Sequence, residues 1–138
     1  MASNIGLKEK AEGKKVIHAE TLKLAAHPNT VIRTVRWRNM PISVRPLLTF
    51  RETSCFVNTV MAACFDDEHG IAVPEAMDFA IRANTVLRYT NLELPEDLEE
   101  QYTILYGTDI YDTIRQNIQT AQLDAIIKTI ELCMQRMK

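Results

Sequence analysis

The sequence predicts a mainly α-helical domain of about five helices, with a small N-terminal β-hairpin and an extended basic N-terminal arm. Apolar residues recur at helical spacing through most of residues 49–138, whereas residues 30–45 alternate as paired strands do. Charge is divided along the chain. Residues 1–51 carry ten basic and three acidic side chains, a charge of +7, and the remaining residues carry −9. These three patterns predict a basic, partly β N-terminal part joined to an acidic helical body.

Residues 1–29 are the predicted basic arm. Residues 1–15 are polar and rich in lysine, and they contain too few apolar side chains to fold by themselves. Residues 16–25 fit a short helix or a strand, and their alanine and leucine content favours the helix. The sequence His27-Pro28 predicts a turn that ends this segment.

A β-hairpin is predicted next in the chain. Residues 30–38 form the first predicted strand and residues 42–45 the second, with a tight turn at Asn39-Met40. An isolated two-stranded hairpin is only marginally stable, so it must pack on the helices or pair with another chain. We expect Trp37 to anchor it, because the large ring needs a packing partner and the indole N–H needs an acceptor.

The hairpin and a helical body, residues 49–138, make up one predicted domain, residues 30–138. Thr49 followed by Glu52 fits a capping box, in which each side chain bonds the backbone N–H of the other residue. This pair predicts where the first long helix begins. The five helices are predicted at about residues 50–65, 74–90, 96–106, 110–118 and 120 to near the end.

Two of these helices carry specific expectations about burial. The third helix is predicted to bury Leu98, Tyr102, Leu105 and Tyr106, and Gly107 is predicted as its left-handed C-cap. The last helix carries a long apolar stripe made of Leu123, Ile126, Ile127, Ile130, Cys133, Met134 and Met137. The four tyrosines, Tyr89, Tyr102, Tyr106 and Tyr111, are expected in the core or at its rim rather than as a stacking platform.

The sequence offers few residues for chemistry. The three cysteines, Cys55, Cys64 and Cys133, lie among apolar residues of predicted helices, so we expect inert thiols and a reducing compartment. The three histidines have no partner at zinc-ligand spacing. Residues 66–70 predict a solvated turn rather than a calcium loop. The four glycines make no phosphate-binding loop, and no serine lies in a glycine-flanked elbow.

We therefore expect no enzymatic activity, no metal and no cofactor. No apolar run approaches the roughly 20 residues that a membrane helix needs, so we expect no membrane association. Residues 1–8 lack the apolar core of a secretory signal, so we expect no such signal.

The candidate interaction site is a basic cluster on the hairpin. It consists of Arg33, Arg36, Trp37, Arg38 and Arg45. Arginines beside an aromatic ring can bind phosphates, but the acidic body would repel a nucleic-acid backbone. We therefore expect a protein partner, including the acidic face of an identical copy, and not nucleic acid. The alternative is a charge division that acts only within one chain.

Several sequence stretches resemble a known group of proteins. They are Val-Arg-Trp-Arg-Asn-Met-Pro-Ile-Ser-Val at residues 35–44, Thr-Phe-Arg-Glu-Thr-Ser-Cys-Phe-Val at 49–57, Asp-Phe-Ala-Ile-Arg at 78–82, Leu-Pro-Glu-Asp-Leu-Glu-Glu-Gln-Tyr at 94–102 and Tyr-Gly-Thr-Asp-Ile-Tyr at 106–111. Over about residues 35–130 the chain resembles small proteins encoded in the structural gene clusters of phages and prophages of Gram-positive gut bacteria. The resemblance implies a non-enzymatic role in virion architecture or assembly, and it supplies no site residues.

The leading functional hypothesis is thus a phage virion structural protein of the head, neck or tail. It would act through repeated contacts with identical copies or other phage structural proteins, in the virion or in the cytoplasm of the infected host. One alternative is a phage tail assembly chaperone that is absent from the mature particle. Another is a phage-encoded inhibitor of a host defence system or nucleic-acid enzyme.

Overall fold

The computed structural model describes residues 15–66, 71–72 and 74–136 of the 138-residue chain. The described part is mainly helical, with a two-stranded antiparallel hairpin on its N-terminal side, which confirms the predicted fold class. Its helices are α1 (Ala19–Ala26), α2 (Phe50–Cys64), α3 (Pro74–Tyr89), α4 (Leu98–Gly107), α5 (Ile110–Arg115) and α6 (Thr120–Arg136). Its strands are β1 (Arg33–Trp37) and β2 (Met40–Val44), with a two-residue pair formed by β3 (Phe65–Asp66) and β4 (Ile71–Ala72).

Some of the sequence-based predictions concern residues that the structure does not describe. Residues 1–14 of the predicted basic arm lie outside the described residues, as do Met137 and Lys138. Of the predicted turn at residues 66–70, only Asp66 is described, and it pairs with Ile71. The choice of helix over strand for residues 16–25 is confirmed by α1, which is followed by a 3-10 turn at His27–Asn29.

The hairpin turn lies one residue earlier than predicted. β1 and β2 pair from Arg33 opposite Val44 to Trp37 opposite Met40, which leaves Arg38 and Asn39 as the loop. Both loop residues have positive φ, 50° and 65°. A two-residue loop with this backbone matches the right-handed twist of the strands, and asparagine tolerates it well. The predicted turn at Asn39-Met40 is therefore wrong. The right-handed twist of the strands favours a two-residue loop with positive φ, and Arg38 and Asn39 form that loop.

The outer edge of β2 is covered by the residues that follow α3. The N–H of Arg45 donates to the carbonyl of Tyr89 at 2.7 Å, and the N–H of Asn91 donates to the carbonyl of Ser43 at 3.2 Å. The side-chain oxygen of Asn91 accepts from the Ser43 N–H at 3.0 Å. These bonds satisfy the backbone groups of β2 and fix the hairpin to the helical body.

The capping box at the start of α2 is confirmed. The Thr49 hydroxyl accepts from the Glu52 N–H, and Glu52 Oε1 accepts from the Thr49 N–H at 3.1 Å. Arg45 also binds the Glu52 carboxylate through both guanidinium NH2 groups and donates to the carbonyl of Arg88 at 2.9 Å. The cap therefore connects β2, α2 and the end of α3.

The core lies between α2, α3 and α6. Phe56 and Val60 of α2 and Val86 and Tyr89 of α3 are fully buried. The buried residues of α6 are Leu123, Ile126, Ile130 and Met134, as the apolar stripe predicted. Among the described residues, no helix is both long enough and apolar enough to cross a bilayer.

The predictions for α4 are partly wrong. The helix begins at Leu98, where the Asp97 carboxylate accepts from the Glu100 N–H at 3.1 Å. Gly107 is the last helical residue and does not form a left-handed cap, since the C-cap is Thr108 in an extended conformation. Of the four residues predicted to be buried in this helix, only Leu105 is. Leu98, Tyr102 and Tyr106 are exposed, because α4 packs through a different face.

The cysteines also differ from one another in burial. Cys64 is buried, and burial raises the pKa of its thiol, as expected of an inert core cysteine. Cys133 is half-buried. Cys55 is exposed, so the expectation of a buried thiol is wrong there; the inward face of α2 is formed by Phe56 and Val60, one and five residues on.

Candidate interaction surface

The structure places the five predicted site residues in two environments. Arg33, Arg36 and Arg38 are exposed on the hairpin, and Trp37 is half-buried between them. Arg33 donates to the side-chain oxygen of Asn29 at 3.4 Å, and Arg36 donates to the carbonyl of Asn39 at 3.2 Å. These bonds involve local partners and leave the guanidinium groups at the protein surface.

Trp37 attaches the tip of the hairpin to the segment between α4 and α5. Its Nε1–H donates to Asp109 Oδ1 at 2.8 Å. The guanidinium of Arg38 lies 5.0 Å from the Trp37 ring centroid and 3.9 Å from the same carboxylate. Thr108 rather than Asp109 accepts from the first N–H of α5, at 3.3 Å, which leaves the Asp109 carboxylate to the hairpin. Trp37 thus has the packing partner and the acceptor that the sequence predicted it to need.

Arg45 lies away from this surface. Its guanidinium is engaged by Glu52 and by the backbone of Arg88. The hydrogen bonds from Arg45 lower the pKa of Glu52 to about 2, against the opposing effect of partial burial. Glu52 is therefore ionised at neutral pH, and the pair holds the hairpin on α2.

A second exposed feature precedes the hairpin. No residue of α1 is buried. Large apolar side chains are exposed throughout residues 15–32: Val16, Ile17, Leu22, Leu24, Val31 and Ile32. The side chain of Asn29 accepts from Gln119 Nε2 at 2.7 Å, so this segment leaves the body beside the start of α6. The sequence suggested the helix, but it did not predict that the helix would be without a packing partner on its own chain.

A third exposed feature is the stripe of Leu98, Tyr102 and Tyr106, which we call the α4 face. Their exposed fractions are 66%, 49% and 36%. The two tyrosine rings are stacked with their centroids 4.3 Å apart, and Phe79 of α3 meets the Tyr102 ring edge-on at 5.7 Å. Spacing of i, i+4 and i+8 is the same for a core stripe and for an unpartnered surface stripe, so the sequence alone does not distinguish them.

The four tyrosines thus divide into two pairs. Tyr89 and Tyr111 are buried, as predicted, whereas Tyr102 and Tyr106 lie on the surface. The expected position in the core or at its rim is therefore wrong for Tyr102 and Tyr106, whose rings stack on each other at the surface. The run of acidic residues next to these two rings is the sequence feature that could have indicated their exposure, since a helix face flanked by charge is often solvent-accessible.

The α4 face is held rigidly from below by an arginine and a carboxylate. Arg82 lies 4.5 Å from the Tyr106 ring centroid and 4.7 Å from that of Tyr111. Asp78 accepts from Arg82 Nε at 2.9 Å and from the Tyr106 hydroxyl. Burial and the bond to Asp78 raise the pKa of Tyr106, so the hydroxyl stays protonated and continues to donate.

Acidic side chains border the α4 face. They are Glu93, Glu96, Asp97, Glu99 and Glu100, all exposed, and none forms an ion pair with another described residue. Residues 15–38, which include α1 and β1, carry five basic and one acidic side chain. The two surfaces therefore differ in charge sign.

Two concave regions accompany these surfaces. A groove of about 440 Å³ lies between α2 and α6, with Phe50, 89% exposed, at its edge. A smaller one of about 240 Å³ lies beneath Leu98 and is lined largely by alanines. Within the parts of the chain that the structure describes, no three His, Cys, Asp or Glu side chains are grouped so as to hold a metal ion.

The hairpin presents arginines, the segment before it presents leucines, and the α4 face presents a leucine and two tyrosines. Tyrosine and arginine dominate the energetic centres of protein–protein interfaces, because they combine large contact area with polar groups. Comparisons with protein-family models, curated proteins and solved structures found no match to the chain. The chemistry of the surfaces is therefore the basis for a functional proposal, together with the resemblance described above.

Proposed function

We propose that the protein is a non-enzymatic structural component of a phage particle, in the head, neck or tail. It acts through repeated contacts with identical copies or with other phage structural proteins. One observation carries the proposal: residues 15–32 expose six large apolar side chains, and this segment continues directly into the arginine-bearing strand β1. Placing such a side chain in an interface stabilises the assembly by roughly 1.5–3 kcal/mol when its burial is complete.

The concentration of these side chains in one segment supports a protein partner. Single exposed apolar residues are ordinary on protein surfaces, whereas contiguous ones mark interaction sites. The apolar residues Leu22 and Leu24 flank Lys23, so the segment offers both apolar area and positive charge. That combination favours an acidic, partly apolar protein surface over a phosphate backbone, which would require mainly basic groups.

The resemblance over about residues 35–130 supports the assignment to a phage particle. It covers the hairpin and most of the helical body. It implies a role in virion architecture or assembly, and it supplies no site residues. The proposed location is accordingly the virion, and before assembly the cytoplasm of the infected bacterium.

Quantitative mass spectrometry of particles purified from the encoding phage or induced prophage tests this function. We expect the protein in a constant ratio to the major capsid protein across successive gradient fractions. Its absence from the particles, despite its presence in the infected-cell lysate, would contradict a structural role. That result would favour a tail assembly chaperone, which leaves before the particle matures.

A further inference from the structure

We infer that α1 of one copy docks on the α4 face of a second copy. The inference rests on the proposed function, since it names the partner and the surface through which the copies meet. α1 and the α4 face both expose apolar side chains that no other described residue buries. The docking covers both at once.

The two surfaces match in length. α1 has eight residues, and the α4 face extends over nine positions from Leu98 to Tyr106, so their lengths are about 12 and 13 Å. Ala19, Leu22 and Ala26 lie at i, i+3 and i+7 and form one stripe of α1. The small alanines at its ends let the helix approach the tyrosine rings closely, while Leu22 fills the space between Leu98 and Tyr102.

The flanking charges are complementary. Residues 15–38 carry five basic and one acidic side chain, although within α1 itself Lys23 pairs with Glu20 at 3.4 Å. Glu96, Glu99 and Glu100 are exposed beside the α4 face. Charge pairs at the rim of an interface increase the association rate and fix the orientation more than they increase affinity. The contact is therefore expected to weaken as salt rises.

Contacts within the chain already orient the tyrosines of the α4 face. Tyr106 donates to Asp78 and lies against Arg82, and the Tyr102 ring stacks on Tyr106. Association then loses little side-chain entropy on this side of the interface. Rigid tyrosines in such a setting are effective binding anchors.

The occupant is a second copy because every copy carries both partners of the contact: exposed apolar residues in the basic stretch 15–38, and an apolar face beside acidic residues. Residues 29–37 are held at both ends, by the Asn29–Gln119 and the Trp37–Asp109 hydrogen bonds. The segment that contains α1 therefore leaves the body beside the start of α6. Docking between two different surfaces of identical chains is heterologous and generates a ring or a filament.

The experiment uses two full-length variants. The arm variant, Leu22→Ser, keeps the α4 face, and the face variant, Leu98→Ser with Tyr102→Ser, keeps the arm. All three side chains are exposed, so both variants are expected to keep the wild-type circular dichroism spectrum. Native mass spectrometry and sedimentation velocity are run on wild type, on each variant alone and on an equimolar mixture.

We expect wild type to associate and each variant alone to associate at least about tenfold more weakly. The mixture is expected to form a heterodimer of one arm variant with one face variant, because it contains one intact arm and one intact face. Phe50→Ser serves as the matched control, since Phe50 is an exposed apolar residue at the other groove. We expect this control to associate as wild type does.

Three results would overturn the inference. If both variants associate as strongly as wild type, the copies meet through other surfaces, although the proposed function stands. If Phe50→Ser alone prevents association, the arm docks in the groove between α2 and α6. If wild type itself is monomeric at all concentrations while the protein is present in particles, its contacts are with a different structural protein.

Discussion

At the scale of single residues, Gln122 joins three parts of the fold. Its side-chain oxygen accepts from the Leu48 N–H at 2.9 Å and from the Tyr89 hydroxyl at 2.8 Å, and its Nε2 donates to the Leu48 carbonyl at 3.0 Å. Burial raises the pKa of Tyr89, so that hydroxyl remains a donor. One amide thereby satisfies the polar groups of two partners from distant parts of the chain.

Replacement of Gln122 by alanine is expected to lower the free energy of unfolding by about 2–3 kcal/mol, because it leaves a fully buried tyrosine hydroxyl and two backbone groups without partners. Urea denaturation followed by circular dichroism measures the change. Gln116→Ala, at an exposed position before α6, is the control and should change it little. A loss below about 0.5 kcal/mol for Gln122→Ala would show that the amide does not hold these groups.

Glu52 gives the protein a specific dependence on pH. Since its pKa is lowered from 4.5 to about 2 in the folded protein, its contribution is complete above about pH 4.5 and disappears as the pH falls towards 2. Glu52→Gln keeps a side chain that is suited to a capping box but removes the charge that binds Arg45.

We expect wild type to exceed Glu52→Gln by about 2 kcal/mol at pH 6, after allowance for solvent screening of this partly exposed pair, and by little near pH 2. Urea titrations across this range provide the measurement. Glu131→Gln, on the exposed side of α6, is the control and should show no such trend. A wild-type advantage that stays constant from pH 2.5 to 6 would contradict the role assigned to the ion pair.

At the scale of elements, local sequence signals placed most helices correctly. The capping box fixed the start of α2, and the apolar stripe identified the inward face of α6, because both depend on neighbouring residues. The orientation of α4, whose apolar stripe faces solvent, could not be predicted in the same way. Its packing depends on α3 and α5, and the apolar spacing of Leu98, Tyr102 and Tyr106 fits either orientation.

The contacts between distant elements could not be predicted from the sequence either. Gln122 and Leu48 are 74 positions apart, and Trp37 and Asp109 are 72 apart. The tryptophan was identified as an anchor from its chemistry, whereas its acceptor could be found only from the fold. The sequence predicted the arginines of the candidate site from its charge pattern. The exposure of α1 and of the α4 face could be seen only in the structure.

The attachment of the hairpin to the body can be measured through Trp37. Trp37→Phe keeps an aromatic ring but removes the Nε1–H that donates to Asp109, and a loss of about 1 kcal/mol is expected. A double-mutant cycle with Asp109→Ala should give a coupling free energy of similar size. Additive effects of the two changes would show that this hydrogen bond does not attach the hairpin.

At the scale of the whole molecule, opposite charges lie on different elements. The basic segment that contains α1 and β1 leaves the body beside α6, and the acidic residues surround the α4 face. Within the described part of one chain, both apolar surfaces are in contact with water. Between copies, the apolar helix of a basic segment is placed against an apolar helix face that acidic residues border, which is the central claim of the proposed assembly.

Sedimentation velocity of the full-length wild-type chain tests that claim most directly. At low salt, about 50 mM, the weight-average sedimentation coefficient is predicted to rise as protein concentration increases to about 100 µM, and the rise is predicted to shrink in about 0.5 M salt. A coefficient that stays at the value of a 15.8 kDa monomer across the whole concentration series at low salt would contradict assembly between identical copies.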